Sequence, residues 1–353
     1  MKDVDVVVIG AGQAGLSAAY HLVRMGFQPY DEVVVLDRNP ASGGAWQHRW
    51  PTLTMSDVHG IFQLPGSRVP DSHGDEPAND FIPRYFSAYE DRHQLPILRP
   101  VTVRTVRDAR AGGLEVVTDH GSWTANSLVN ATGTWDRPFV PAYPGIETFR
   151  GRQLHTVDYR GPSDFAGQHV VVVGGGHSAL QLLAEISDVA TTTWVTRRPP
   201  RWRTWASLSP DDGRAAVARV EDRVRQGLPP ESVVSVTGLH VRPQEEAAKQ
   251  RGTYDREPMF DRITPDGIHW PDGRTQRADV IVWATGFRAA LGHLAPLHLR
   301  EPSGGVRMVG TRTARDPRVH LVGYGPSAST VGGNRAGHAA AREIRDLLGR
   351  AAA

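Results

Sequence analysis

Two stretches combine residue types and spacings that imply chemistry: Gly10-Ala11-Gly12-Gln13-Ala14-Gly15 and Gly174-Gly175-Gly176-His177-Ser178-Ala179. Both satisfy G-x-G-x-x-G/A. The first glycine of that spacing permits a tight turn, the second lets backbone approach a pyrophosphate, and the third position lets a helix pack close to a strand. The chemistry is anion binding, with backbone N–H groups and a helix N-terminus as donors. What each loop binds is read from the end of the strand that follows it. Val33 to Leu36 ends in Asp37, twenty-two residues after Gly15. A carboxylate there accepts ribose hydroxyls and favours an adenosine without a 2′-phosphate. After the second loop, Thr192 to Thr196 carries no acid at its end and is followed by Arg197 and Arg198, with Arg201 and Arg203 beyond. Arginine at this point suits a 2′-phosphate. The first loop, with Asp37 and Arg38, therefore predicts an FAD site, and the second an NADPH site. A solvated cluster in an arginine-rich chain stays open as the other reading of Arg197 and Arg198.

The elements that must position these loops are legible around them. Val6-Val7-Val8-Ile9 is an unbroken apolar run, as for a strand buried on both faces, and Leu16 to Arg24 reads as a helix closed by Gly26. Val170 to Val173 repeats the run before the second loop, with a helix expected over Leu180 to Ile186. A further duplication lies downstream of each loop. Leu114 to Gly121 leads to Leu128-Val129-Asn130-Ala131-Thr132-Gly133, and Gly267 to Gly273 leads to Val280-Ile281-Val282-Trp283-Ala284-Thr285-Gly286. Each reads as a hairpin feeding a buried strand, with Ala-Thr-Gly as a small-residue turn that lets the chain pass close to a nucleotide. Between Asp37 and residue 60 runs a long aromatic loop holding Gly43-Gly44-Ala45-Trp46 and Trp50. It either covers a flat ring or is an ordinary surface loop with aromatics packed beneath. Phe81, Tyr85 and Tyr89 at four-residue spacing predict a helix over Phe81 to His93 with its stripe in the core.

Composition removes several classes of function. The 353 residues are 39% hydrophobic and 22% charged, enough for two or three domain-sized cores. Forty basic residues against 38 acidic ones leave a net charge of +2, which gives no whole-protein field for nucleic acid. All but Lys2 and Lys249 of the basic residues are arginine. Without cysteine there is no disulfide, thiolate metal site or redox-active cysteine pair. The histidines form no H-E-x-x-H or similar metal spacing. A nucleophile elbow at Gly176-His177-Ser178-Ala179 fails because Leu180 replaces its last glycine, and a serine hydrolase has no use for a second nucleotide unit. With no apolar run near eighteen residues and a start directly into the first strand, a cytoplasmic protein without a membrane partner is expected.

The segment between the two units carries a family resemblance. Phe149, Gly151, His155 and Tyr159 match F-x-G-x-x-x-H-x-x-x-Y, the fingerprint of class B flavoprotein monooxygenases in their flavin-containing monooxygenase form; the Baeyer–Villiger branch has tryptophan at the position of Tyr159. With both glycine loops, Gly43 to Trp46, both Ala-Thr-Gly turns and Gly323-Tyr324-Gly325-Pro326, the chain resembles a short bacterial member over nearly its whole length. The resemblance implies an α/β fold of two Rossmann-like dinucleotide-binding domains. An FAD domain formed by residues 1–152 and 288–353 is interrupted by a smaller NADPH domain over 153–287, and the chain crosses over near His155 and returns near Phe287. It implies hydride transfer from NADPH to FAD, a C4a-(hydro)peroxyflavin, and transfer of one oxygen atom from O₂ to nitrogen, sulfur or a carbonyl of a small molecule. The cofactor ligands expected on these motifs are Gly10, Gly12, Gln13, Ala14, Gly15, Asp37, Arg38, Gly44, Ala45, Trp46, Ala131, Thr132, Gly133, Gly323 and Tyr324 for FAD. For NADPH they are Gly174, Gly176, His177, Ser178, Ala179, Arg197, Arg198, Ala284, Thr285 and Gly286. Where the family places an asparagine beside the flavin, this chain has Leu53-Thr54-Met55-Ser56-Asp57, so Met55, Ser56 and His59, with His155, are the catalytic candidates. His155 is either part of a hinge coupling nicotinamide position to flavin state or a hydrogen-bonded linker residue. The Gly-Asp common in FAD enzymes is Gly323-Tyr324 here, and the helix expected from Asn334 or Ala336 onward would aim its N-terminus near the flavin. Against a monooxygenase stand an NAD(P)H-dependent flavin reductase passing electrons to a quinone or protein, and a non-catalytic nucleotide sensor. A homodimer is left open.

Overall fold

The computed structural model describes residues 2–58, 61–202, 210–231, 238–239 and 241–350. The strands and helices up to the first crossing are β1 (Lys2–Ile9), α1 (Gln13–Arg24), β2 (Val33–Leu36), α2 (Ala78–Arg92), β3 (Ile97–Leu98), β4 (Val103–Asp108), β5 (Leu114–Thr118) and β6 (Gly121–Asn130). There follow β7 (Arg152–His155), β8 (His169–Val173), α3 (His177–Ile186), β9 (Thr191–Thr196), α4 (Pro210–Arg225), α5 (Glu246–Gln250), β10 (Arg256–Pro258), β11 (Arg262–Thr264), β12 (Gly267–His269), β13 (Thr275–Arg277) and β14 (Val280–Trp283). The chain closes with β15 (Met308–Val309), β16 (Arg312–Thr313), β17 (Val319–Leu321) and α6 (Thr330–Leu347).

β1 is buried from Val6 to Ile9 because parallel neighbours flank it on both sides, β2 and β6. The nine-stranded sheet runs β15-β16-β17-β6-β1-β2-β3, with the β4–β5 hairpin joined to β6. The five-stranded sheet is parallel in the order β10-β9-β8-β14-β7 and takes in Arg152, one residue before the expected boundary. β11-β12-β13 forms a small antiparallel sheet. Mixed α/β layering with a parallel run of strands in each of the two larger sheets is thus the architecture expected from the two apolar runs. The duplicated hairpins differ in one respect. In the first copy the second hairpin strand and the buried strand are one element, β6, whereas in the second Ala278 and Asp279 separate β13 from β14. The Asp279 carboxylate and carbonyl both accept from the backbone amides of neighbouring strands, His169 and Arg152, and turn the chain there.

Four helices begin earlier than expected: α1 at Gln13, α3 at His177, α6 at Thr330 and α2 at Ala78. In the first two, a glycine serves as N-cap and the residues resembling loop take the first helical turn. In α6, Ser329 caps through its hydroxyl, which accepts from Gly332 N. α2 buries Phe81, Tyr85 and Tyr89 as the stripe predicts. One apolar core runs without a break from β1 and α1 through Trp50 and Tyr159 to β8 and α3, so the two larger sheets are packed through shared side chains.

Candidate functional site

A cleft of about 430 Å³ opens at the carboxyl ends of β1, β2 and β6, where doubly wound sheets bind ligands. Its wall is made by Gly10 to Ala14, Asp37 to Asn39, Gly43 to Trp46, Ala131 to Asp136, and on the far side Gly323 and the start of α6. The first loop divides its labour by position. Gly10 has φ +97°, and a Cβ on it would lie 2.7 Å from the Ala131 carbonyl oxygen, so the turn and its neighbour both require glycine. Gly15 is off the cleft wall and packs the helix on the turn: its Cβ would sit 1.9 Å from Gly10 O. Gly12 is different, since only the Gly44 Cα, at 4.0 Å, would touch its Cβ. The protein does not need that position empty; an occupant of the cleft does. α1 has no side-chain cap and no acid in its first turn, which leaves its N-terminal N–H groups and dipole to an anion. The fit to a dinucleotide diphosphate therefore rests on a cradle that a Cβ would fill.

Asp37 is buried and held, not solvated. Its Oδ1 accepts from Asn39 N and Nδ2 at 3.2 and 3.1 Å, and its Oδ2 from Arg99 Nε at 3.2 Å. Arg99 is itself fixed by a two-pronged pair with Glu90 at 2.7 and 2.8 Å. Arg38 lies at the rim, ion-paired with Asp136. His293, also on the wall, donates from Nε2 to Asn130 Oδ1 at 2.7 Å; burial lowers its pKa to about 4, so it is a neutral imidazole at physiological pH. Thr132 is bound to Asn130 and to the Ala290 carbonyl, which fixes the first Ala-Thr-Gly turn.

The second loop repeats the backbone plan of the first. Gly174 N donates to Val195 O at 3.0 Å as Gly10 N does to Leu36 O at 2.8 Å, and Ala284 N bonds Val173 O at 2.8 Å as Ala131 N bonds Ile9 O at 2.8 Å. A Cβ on Gly174 would lie 2.2 Å from Ala284 O, while one on Gly176 would meet nothing within 4 Å. Ala179 is fully buried at the packing position, and Trp194 Nε1 donates to Gly174 O at 2.7 Å. His177 and Ser178 form the first turn of α3, whose N-terminus has neither a side-chain cap nor an acid. Arg197 and Arg198 follow β9, exposed and without a carboxylate partner among the described residues. Thr285 donates to the Phe139 carbonyl. Arg203 and His59 lie outside the described residues.

The linker motif is resolved residue by residue. Phe149 is buried, and a Cβ on Gly151 would strike the Asp279 carbonyl and the Phe149 ring, each at 2.5 Å. His155 accepts from Val157 N at Nδ1, so Nε2 carries the hydrogen and donates to Gly286 O at 3.0 Å; burial holds its pKa below the usual imidazole value. Tyr159 OH donates to Glu185 Oε2 on α3 at 2.9 Å, and Glu185 Oε1 also accepts from Trp50 Nε1 at 3.1 Å. Burial raises the Glu185 carboxyl above its ordinary value. The last two fingerprint positions thus reach from the linker to the second Ala-Thr-Gly turn and to α3. His155 is not on the cleft wall but stands edge-on to Phe287, which is, with ring centres 5.0 Å apart. Phe287 in turn stacks on Trp135 at 5.3 Å.

Of the remaining candidates, Gly44, Ala45, Trp46 and Gly323 line the cleft, whereas Met55, Ser56 and Tyr324 do not. Met55 packs on the core, Ser56 is exposed with its hydroxyl on Thr54, and the Tyr324 hydroxyl accepts from Val306 N inside the second core. The wall also holds residues that the sequence alone does not single out: Asn39, His48, Arg49, Trp135, Phe287 and His293. Trp135 follows the first Ala-Thr-Gly directly, and Phe287 the second, a signal available in the duplication itself.

A sequence model of pyridine nucleotide-disulphide oxidoreductases matches residues 7–309. The chain belongs to this family. Within it, the chain is similar to the solved flavin-containing monooxygenase from Stenotrophomonas maltophilia, 38% identical, with 99% of this chain and 100% of that one covered and a TM-score of 0.84. A double mutant of that enzyme gives 37% and 0.85. Among curated relatives, indole-3-pyruvate monooxygenase YUCCA1 of Oryza sativa subsp. japonica is 26% identical over 319 residues, covering 80% of this chain and 76% of its own. The protein is a flavin-dependent oxidoreductase of the monooxygenase kind, and FAD and NADPH are the cofactors of this family. Lacking cysteine, it has no disulphide for the relay after which the family is named. Among the described residues no helix is long and apolar enough to cross a membrane, and no group of three or more His, Asp or Glu could hold a metal.

Proposed function

We propose that this protein uses NADPH and O₂ to place one oxygen atom on a sulfur, nitrogen or carbonyl group of a small organic molecule, with residues 1–152 and 288–353 serving FAD and 153–287 serving NADPH. The observation that carries this reading is the junction between the two loops: the second Ala-Thr-Gly turn, bonded to His155 through Gly286, runs straight into Phe287 on the wall of the first cleft. Residues 137–139 and 286–288 cross there, with Phe139 N on Gly286 O at 3.0 Å and Arg288 N on Arg137 O at 2.8 Å. Bound FAD supplies the hydride acceptor and the reaction with O₂. The chain's own residues bind, orient and exclude water. N–H groups at Gly12 to Ala14 hold the diphosphate, Asp37 accepts from the ribose, and Arg197 with Arg198 pairs with the 2′-phosphate of NADPH. Phe287, at the junction, supplies an apolar wall that keeps water from the reacting end.

Turnover with NADPH, methyl phenyl sulfide and ¹⁸O₂ tests the reading. Sulfoxide carrying one labelled atom supports it. NADPH oxidation with all the oxygen recovered as H₂O₂, for ketone and amine probes as well, would make the protein a flavin reductase instead.

His155→Ala addresses the junction separately. Three hydrogen bonds of about 1 kcal/mol each are lost, but no residue of the FAD cleft is removed, so the variant is expected to stay yellow. Its damage falls on coupling: NADPH continues to be consumed while the product-to-peroxide ratio drops, because the nicotinamide unit is no longer held against Phe287. A variant with lowered thermal stability and an unchanged ratio would reduce His155 to a structural linker residue.

A further inference from the structure

Four formally charged side chains line the FAD cleft: Asp37, Arg38, Arg49 and Asp136. Three are ion-paired within the protein, Asp37 with Arg99, which it shares with Glu90, and Arg38 with Asp136. Burial keeps His48 and His293 below the usual imidazole range, so neither adds a charge. Arg49 is the exception. Among the described residues it has no carboxylate partner, and its Nε is sealed from solvent without an acceptor. The guanidinium is steadied by two aromatic faces, its carbon 5.5 Å from the centre of the Trp46 ring and 4.6 Å from that of Trp135. Both tryptophans line the same cleft. Burial lowers the Arg49 pKa to about 10, which still leaves a cation at physiological pH.

A guanidinium offers five N–H donors and accepts nothing, so one that is half-buried and unpaired calls for an anionic oxygen. Aromatic faces offset part of the desolvation but satisfy none of those donors. The local fold ties Arg49 to the first glycine loop. Gly44, which comes within contact of Gly12, opens the short 3₁₀ turn Gly44–His48, and Arg49 is its C-cap. Five residues therefore carry the chain from the anion-binding loop to Arg49 along one wall. That loop supplies N–H groups but no side-chain charge, whereas a dinucleotide diphosphate brings two negative charges. We propose that Arg49 is a cofactor-binding residue that pairs with a phosphate oxygen of the FAD diphosphate, held for it by Trp46 and Trp135. The assignment rests on FAD occupying this cleft; if that were wrong, the parent protein itself would not bind FAD, a failure distinct from those below.

The test is FAD affinity of the full-length protein, stripped of flavin and titrated at low and at high KCl, for the parent, Arg49→Lys and Arg49→Gln. Circular dichroism reports folding of each. Arg49→Gln is expected to raise the FAD Kd about ten- to a hundredfold at low salt, as for loss of a charge-assisted hydrogen bond. The gap should shrink at high salt, where the parent's ion pair is screened. Arg49→Lys keeps the charge and should lie between the two. An unchanged Kd for Arg49→Gln overturns the proposal and leaves the cation to an anionic substrate. Equal weakening in both variants, independent of salt, also overturns it and makes Arg49 a packing residue between the tryptophans. Should Arg49→Gln fail to fold, the salt response of Arg49→Lys decides.

Discussion

Gly12→Val is expected to purify colourless while folding like the flavin-free parent. A Cβ there meets only the Gly44 Cα, at 4.0 Å, so the fold itself leaves room for a β-carbon. Its methyl groups instead occupy the space over the uncapped N-terminus of α1, where the diphosphate must approach. Losing that approach removes several charge-assisted hydrogen bonds, each worth roughly 1.5 to 3 kcal/mol, so FAD affinity should fall by at least about a hundredfold. Flavin absorbance per mole of purified protein measures the loss. Melting of the flavin-free forms separates it from misfolding, because the holo parent gains stability simply by binding its ligand. Substitution at Gly10 or Gly15 is no substitute for this test, as either would break the turn before any cofactor arrives. A Gly12→Val protein as yellow as the parent would remove the first loop from FAD binding.

Arg197→Ala should raise the KM for NADPH about ten- to a hundredfold and leave NADH almost unaffected, in keeping with roughly 1.5 to 3 kcal/mol for one charge-assisted pair. Arg198→Ala should act in the same direction more weakly. Both side chains are exposed at the end of β9, and the backbone there is set by Thr196, whose hydroxyl donates to the Arg198 carbonyl at 2.8 Å. Deleting either guanidinium therefore costs the fold little. Steady-state kinetics with the two coenzymes is the measurement. Equal weakening of NADPH and NADH, or a parent that already prefers NADH, would show that these arginines do not read the 2′-phosphate.

Much of the fold was determined by local pattern. An unbroken apolar run, a glycine at the turn and a small-residue packing position leave few alternatives to strand, loop and helix, and the run Val33 to Leu36 forms its strand with the boundaries read from the sequence. The same pattern repeated at Val170 to Ala179 specified a second unit with the same backbone hydrogen bonds. Helix starts were less legible, since the residues at Gln13, His177 and Thr330 read as loop although each directly follows a glycine or serine cap.

Which side chains face the cleft was decided only by the tertiary structure. The family resemblance put Met55 and Ser56 where an asparagine would stand beside the flavin, but the chain turns away at Trp50, which is buried against Tyr159 and bonded to Glu185. Tyr324 follows a glycine on the wall yet turns its ring into the core. His155 was recognisable as part of a motif, while its partner, the Gly286 carbonyl 131 positions away, depends on two distant segments crossing. Arg49 is the plainest case. One arginine among 38 carries no signal of its own, because charge is a property of the residue whereas neutralisation is a property of its surroundings. Only the folded chain shows that Asp37, Arg38 and Asp136 are paired and that Arg49, between two tryptophans, is not.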